Sequence, residues 1–374
     1  SSTAPSTVAA AYSLTRQWEL GSAPITRSLF VRRGTVIAAG ERTRGIPSSE
    51  AVTAIDATTG TLRWSHPLRE TASDPQAIAF EGQTLRIIAA EDGVYVSSYG
   101  SGGIKNPIVG YAVGTGVRLF PSAEKLDENE SVEEVVGADD AGLVTSAGVL
   151  RDPATGVVRR YKFVGGSVLA IAGPLAFSWD GIDGSLTAYD LATDRPRWTV
   201  PMPIRPTVVV VDTDTILLVS SDGWRRLDLT SGATEPMEFQ GVVDPLSSFD
   251  TCSSSDFQSV PVGRYASPIA CDDTYVAASL GDRLEIYDLS TDASVRVAVC
   301  DPDSDPFALA GGLFACATTG PDGRLSIRLV DASSGFQVLD FSDDRAGPVG
   351  LVLTEDQLIV SLEDGSIVAY ALTR

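Results

Sequence analysis

The strongest constraint on this fold is a repeat that the two ends of the chain complete between them. The last ten residues, Gly365-Ser-Ile-Val-Ala-Tyr-Ala-Leu-Thr-Arg374, stop where internal copies continue into a turn and one more strand. Near the start, Ala11-Tyr-Ser-Leu-Thr-Arg-Gln-Trp-Glu-Leu20 reads as that missing continuation. A linear stack of repeats gives no reason for such a split. A ring closed by strands from both ends does.

The clearest internal copy is Ala51-Val-Thr-Ala-Ile-Asp56-Ala-Thr-Thr-Gly60-Thr-Leu-Arg-Trp64. A strand runs to Asp56, a turn ends at Gly60, and a second strand carries Trp64. Asp at a strand end accepts hydrogen bonds from turn amides, and Gly takes the positive φ that sends the chain back antiparallel. The residues at the Asp position of successive copies are Asp56, Val113, Asp152, Asp190, Asp228, Asp288, Asp331 and Ala371. Their spacings are 57, 39, 38, 38, 60, 43 and 40 residues, so five steps match one propeller blade and two contain insertions. Short apolar runs ending in Asp-Gly turns precede most copies, as in Leu175–Gly181, Leu217–Gly223 and Leu358–Gly365. No segment has a helical period. The chain is therefore expected to be all-β, an eight-bladed β-propeller of four-stranded antiparallel blades. Tyr12–Leu20 and Ile367–Leu372 should share the closing blade. Residues 12–374 form one unit behind a leader at 1–11. Residues before Trp18 are expected to be dispensable, whereas loss through Leu20 should open the ring.

The A-x-D-x-x-T-G-x-x-x-W pattern resembles the repeat of quinoprotein-type (PQQ-like) β-propellers. That family includes alcohol dehydrogenases that bind pyrroloquinoline quinone. It also includes the non-enzymatic propeller lipoproteins of outer-membrane protein assembly, the BamB family. The enzymatic branch carries an adjacent Cys-Cys disulfide, a Trp floor under the cofactor, and acidic and amide calcium ligands beside a catalytic Asp. Here no two cysteines are adjacent. Trp18, Trp64 and Trp198 occupy the repeat's own Trp position, where the ring packs between blades. The resemblance thus implies the non-enzymatic branch, with no cofactor and no bound metal.

A net charge of −21 argues against nucleic acid and anionic membranes as partners, since both need clustered Lys and Arg. No apolar stretch is long enough to cross a bilayer. Ser1-Ser-Thr-Ala-Pro-Ser-Thr-Val-Ala-Ala10 reads as a flexible linker, the expected stub of a lost signal peptide, lipid anchor or membrane helix. An extracytoplasmic, envelope-tethered monomer follows from that reading. The cysteines at 252, 271, 300 and 316 permit three pairings. The sequential one is the most economical. Cys252–Cys271 would staple the insertion Pro245–Pro268, and Cys300–Cys316 would tie the end of one blade to an early strand of the next. Paired cysteines agree with export.

Few residues carry reactive chemistry. His66 is the only histidine and no G-x-S-x-G elbow accompanies it, so it reads as a strand-end side chain. Trp179 and Trp224 sit beside Asp-Gly turns and are the indoles placed nearest a loop surface, with packing as the plainer role. Asp301, Asp303 and Asp305 have calcium-loop spacing but lack the Gly and the distant Glu of an EF-hand, which favours a solvated turn. The acidic run Glu124–Glu134 reads as an exposed connection. Tyr99–Pro107 is Gly-rich without being a phosphate loop. The expected function is a non-enzymatic interaction or assembly module with a protein partner in the cell envelope. The alternatives are a ligand- or glycan-binding sensor and, behind it, a quinone-dependent dehydrogenase.

Overall fold

Four-stranded antiparallel sheets form wherever this chain alternates apolar strands with Asp- and Gly-bearing turns, and there are eight of them. The structure is a computed structural model, described for residues 12–21, 23, 25–41, 50–68, 84–99, 108–119, 135–139, 142–160, 166–193, 195–212, 214–220, 223–237, 258–262, 269–279, 284–300 and 306–374. Among them there is no helix. Blades 1 to 7 follow in chain order at 25–67, 84–112, 135–160, 167–201, 207–236, 269–297 and 307–343. Blade 8 joins 348–373 to the N-terminal strand Ser13–Leu20.

The core is divided among the blade junctions. Eight clusters of buried apolar residues each draw on two neighbouring blades, and together they cover every junction of the ring. Phe30, Ile37, Val52 and Trp64 of blade 1, for example, pack on Ile87, Val94 and Tyr111 of blade 2. A blade's inner strands are therefore covered on both faces, which is why Ile216–Ser220 is apolar and buried throughout. Outer strands lose that cover. In Arg195–Pro201 only Trp198 is buried.

Ring closure is antiparallel pairing of Ser13–Leu20 with Ile367–Thr373, from Ser13↔Thr373 to Leu20↔Ile367, with a bulge between Arg16 and Trp18. Leu14 and Trp18 are the buried members of the N-terminal strand. Glu19 ion-pairs with Arg345, which follows blade 7, so a side-chain bond also ties the closing strand to the next blade. Pairing that begins at Ser13 corrects the expectation that residues before Trp18 are dispensable, because Leu14 belongs to the core at the junction of blades 7 and 8.

Two further details differ from the sequence reading. In the second copy, Gly116 N donates to Ala112 O as Gly60 N donates to Asp56 O, so Ala112, and not Val113, stands at the Asp position. The insertion between blades 5 and 6 also holds more than loop. Its strand Gln258–Val262 pairs antiparallel with Thr84–Ala89, the innermost strand of blade 2. Three blades separate blade 2 from blade 6 in either direction round the ring, so the insertion reaches the opposite side. Among the described residues that strand makes blade 2 four-stranded, since its outer edge shows a single bridge, Tyr111↔Arg118. Pro261 is tolerated there because an edge strand has N–H positions that no ladder requires.

A chain beginning at Gly21 is expected to lose the cooperative melt of the full protein in calorimetry, since blade 8 would lack its outer strand. Leu14→Ala should cost about 2–4 kcal/mol in denaturant unfolding. A wild-type melt from either variant would show that closure does not depend on this strand.

Candidate functional site

The residues that recur among the copies meet at the junctions between blades. In the turns, Asp56 Oδ1 accepts from Thr58 N at 3.0 Å, Thr59 N at 2.9 Å and Thr59 Oγ1 at 3.0 Å. Asp152 and Asp190 repeat the set with Thr155 and Thr193, and Asp228, Asp288 and Asp331 make the corresponding bonds in blades 5 to 7. With the turn held this way, the carbonyl of the residue after the Asp points at the preceding blade. Trp18 Nε1 donates to Ala57 O at 2.7 Å, Trp64 Nε1 to Val113 O at 2.8 Å, and Trp198 Nε1 to Leu229 O at 2.8 Å. Each indole also lies over the turn glycine of that next blade. A Cβ on Gly60 would fall 2.7 Å from Trp18, one on Gly116 2.5 Å from Trp64, and one on Gly232 2.7 Å from Trp198. The glycine is required twice, by its positive φ and by the ring above it.

Two of the blades without that Trp use other donors for the same carbonyl. Tyr95 of blade 2 donates its hydroxyl to Pro153 O at 3.0 Å. Arg226 of blade 5 reaches Leu289 O at 2.5 Å. In blade 5 the residue cross-strand from Arg226 is Glu235, where blades 1 and 4 place Trp64 and Trp198 opposite Ala54 and Ala188. The turn that Arg226 serves carries Asp292 at the glycine position, with φ of 56°. Sequence reasoning missed Tyr95 and Arg226. A signal was present: every blade with a Trp at the repeat position precedes a Gly-bearing turn, and the turns with Asp194 and Asp292 in place of Gly follow blades without a Trp at that position.

His66 belongs to this packing. Its Nε2 lies 2.8 Å from Gly116 O, an acceptor only, so that nitrogen carries the proton. The ring stacks on Tyr111 at a centroid distance of 4.6 Å and 9° between planes. Of the two remaining indoles, Trp224 is fully buried at the junction of blades 5 and 6. Trp179 is half-buried and donates to Met202 O at 2.9 Å. Cys300 and Cys316 form a disulfide from the end of blade 6 to the second strand of blade 7, with Cα atoms 6.2 Å apart. Cys271 is disulfide-bonded as well, while Cys252, its expected partner, lies outside the described residues. So do Asp301, Asp303 and Asp305, the acidic run Glu124–Glu134, and nearly all of Tyr99–Pro107. Among the described residues no group of three or more His, Cys, Asp or Glu could hold a metal ion.

The turn carboxylates are held ionised. The Arg63 guanidinium, followed by the Thr59 and Thr58 bonds, lowers Asp56 to about 2. Backbone bonds from Thr193 and Ser231 lead the causes that hold Asp190 and Asp228 below the ordinary carboxylate range. These turns lie on one face of the ring. The other face carries the loops between second and third strands and the connections between blades.

No protein-family model matches the sequence, and no curated protein matches it. Among solved structures, the computationally designed Ika8 protein is similar over 94% of this chain and 97% of its own, with 13% identity and a TM-score of 0.56. The shared property is the fold. BamB from Moraxella catarrhalis aligns over 96% of this chain and 100% of its own, with 12% identity and a TM-score of 0.42.

Trp64→Phe, which keeps the ring and removes the donor, should cost about 1–2 kcal/mol in denaturant melts. Gly116→Ala should cost about 3 kcal/mol, because it combines backbone strain with a clash. Joined to Trp64→Ala it should cost less than the sum of the two single effects, since the clash disappears with the ring. Strict additivity would separate the two residues energetically.

Acid stability follows from the carboxylates. A folded pKa below the unfolded value contributes stability that is full above the unfolded value and lost as pH falls through the folded one. Thermal stability should stay level above roughly pH 5 and fall between about pH 4 and pH 2. Asp56→Asn should flatten part of that fall when melts are recorded across the range.

Proposed function

We propose that this chain is a quinoprotein-type propeller of the non-enzymatic kind, an interaction or assembly module at the cell envelope, held there through its N-terminal segment. The observation that carries the reading is where the recurring polar and aromatic residues go. The repeat Asp residues cap their own turns, and Trp18, Trp64, Trp198, Tyr95 and Arg226 bond the next blade. His66 packs across a junction. What the scaffold leaves for function is its two loop-bearing faces, which is where a rigid propeller presents contacts.

Pyrroloquinoline quinone does not fit this set of residues. The cofactor-binding members of the family need adjacent cysteines, and the four here are separated in sequence, with Cys300 and Cys316 joined to each other. The indoles at the repeat position are already committed to packing and to backbone carbonyls. The disulfides support an oxidising compartment, because cytosolic thiols are kept reduced. The net charge of −21 supports a protein rather than a nucleic acid as partner.

Protein drawn from its native cells under non-reducing, alkylating conditions should have no free thiol and should elute in an assembly larger than the monomer. Free thiols would overturn the compartment. Dye reduction after addition of quinone and calcium would overturn the non-enzymatic reading.

A further inference from the structure

Blade 2 carries on its innermost strand a segment that the chain supplies from the other side of the ring. Gln258–Val262 pairs with Thr84–Ala89, from Gln258↔Ala89 to Val262↔Leu85, and it also lies close to the innermost strand of blade 1. Pro261 fixes which backbone groups make that ladder. A residue without an N–H cannot sit in a doubly hydrogen-bonded pair, so the bonds run through Gln258↔Ala89, Val260↔Ile87 and Val262↔Leu85. The Ala90 N bond to Gly93 O agrees with this. It puts the even-numbered amides of this strand on the second strand of blade 2 and the odd-numbered ones on the added strand. The added strand belongs to a closed loop. Of the four cysteines, Cys300 and Cys316 are bonded to each other and Cys271 is also disulfide-bonded, which leaves Cys252 as its partner. Five residues separate Cys252 from Gln258, and six separate Val262 from Ile269, where blade 6 begins. Cys271 itself is fully buried in the core between blades 5 and 6.

We propose that this insertion is a strap over a strand-accepting edge, clasped by Cys252–Cys271, and that opening the clasp hands the edge to an extended peptide. The clasp decides how long the strap is. With the disulfide, Gln258 hangs five residues from a fixed point. Without it, twenty residues separate Gln258 from Met237, whose N–H bonds Trp224 O at the end of blade 5. Closure probability falls as the three-halves power of length, so an arm about four times longer weakens docking about eightfold. A five-residue strand paired along one edge is marginal by itself, which makes that factor decisive. What the strap covers is backbone. The N–H and C=O groups of Leu85, Ile87 and Ala89 need partners when it is away, and an extended peptide supplies them by strand addition. The register states what such a peptide needs, an N–H at alternate residues with proline admitted between them. A dithiol opens the clasp by exchange. Two electrons and two protons pass to the cystine, its S–S bond breaks to two thiols, and the dithiol closes to its own disulfide. Blade 6 keeps its core through the step, because a buried Cys thiol packs as a small hydrophobe.

The test reads amide exchange on the full oxidised chain by fragment-resolved mass spectrometry. Cys252→Ala should lower protection of the Leu85 and Ile87 amides about eightfold. Arg86 and Ile88, whose amides bond the second strand of the blade, should keep theirs. Wild type treated with dithiothreitol should lose protection at the same two amides, and reoxidation should restore it. Val260→Pro removes a ladder N–H and should expose Leu85 and Ile87 with the disulfide intact, whereas Ser259→Pro should not. A synthetic peptide of residues 256–264, added to the Cys252→Ala/Val260→Pro chain, should protect both amides again. The same peptide carrying Val260→Pro should leave them exposed. Equal protection with and without the disulfide would overturn the clasp. Loss at all four amides would overturn it too, because blade 2 would then be opening as a whole. Failure of the unaltered peptide to protect Leu85 and Ile87 would overturn the edge as a peptide site.

Discussion

An indole resting on a glycine of the neighbouring blade is the contact from which the rest of this ring follows. The Asp turn holds the chain so that a glycine with positive φ and an outward carbonyl appear together. The preceding blade fills the space above the glycine with a Trp ring and satisfies the carbonyl with the indole N–H. Packing and hydrogen bonding are thereby solved by one side chain. The hydrophobic clusters at the eight junctions supply more free energy, since they bury far more area. They are less directional, and the latch sets how one blade sits on the next.

At two junctions where the Trp is missing, the same carbonyl is still served. Tyr95 reaches it from a second strand and Arg226 from a third, so the constraint belongs to the carbonyl rather than to the donor. A buried backbone acceptor without a partner is costly, which explains why different side chains converge on one position. The closing blade obeys the same rule, with Trp18 acting on Ala57 across the point where the two ends of the chain meet. Closure thus shares its latch with the junctions that follow blades 1 and 4.

Much of this was legible in the residues. Asp-x-x-Thr-Gly and the Trp four residues later are local signals, and counting their copies leads to eight blades and to a closing strand shared by both termini. Of the three pairings the sequence permits, the sequential one favoured for its economy is observed at Cys300–Cys316. The limits were equally specific. The second copy has no Asp to mark its register, and the Gly116 N bond to Ala112 O places Ala112, rather than Val113, at that position. Leu14 did not stand out as core, because the strand's two buried residues, Leu14 and Trp18, lie four apart and make no alternating pattern. Trp224 carried the same Asp-Gly surroundings as Trp179, yet one is fully buried and the other half-buried with its indole on Met202 O.

The sequence by itself determined the repeat, its number, its antiparallel turns and the joining of the two ends. All of these depend on residues a few positions apart, so turn chemistry and period specify them. Only the tertiary structure decided that Gln258–Val262 pairs with Thr84–Ala89 across the ring, and that Tyr95 and Arg226 stand in for an indole at two junctions. Strand pairing between distant segments uses backbone groups that every residue possesses. No local pattern names the partner, and the choice is made when the blades close around a common axis.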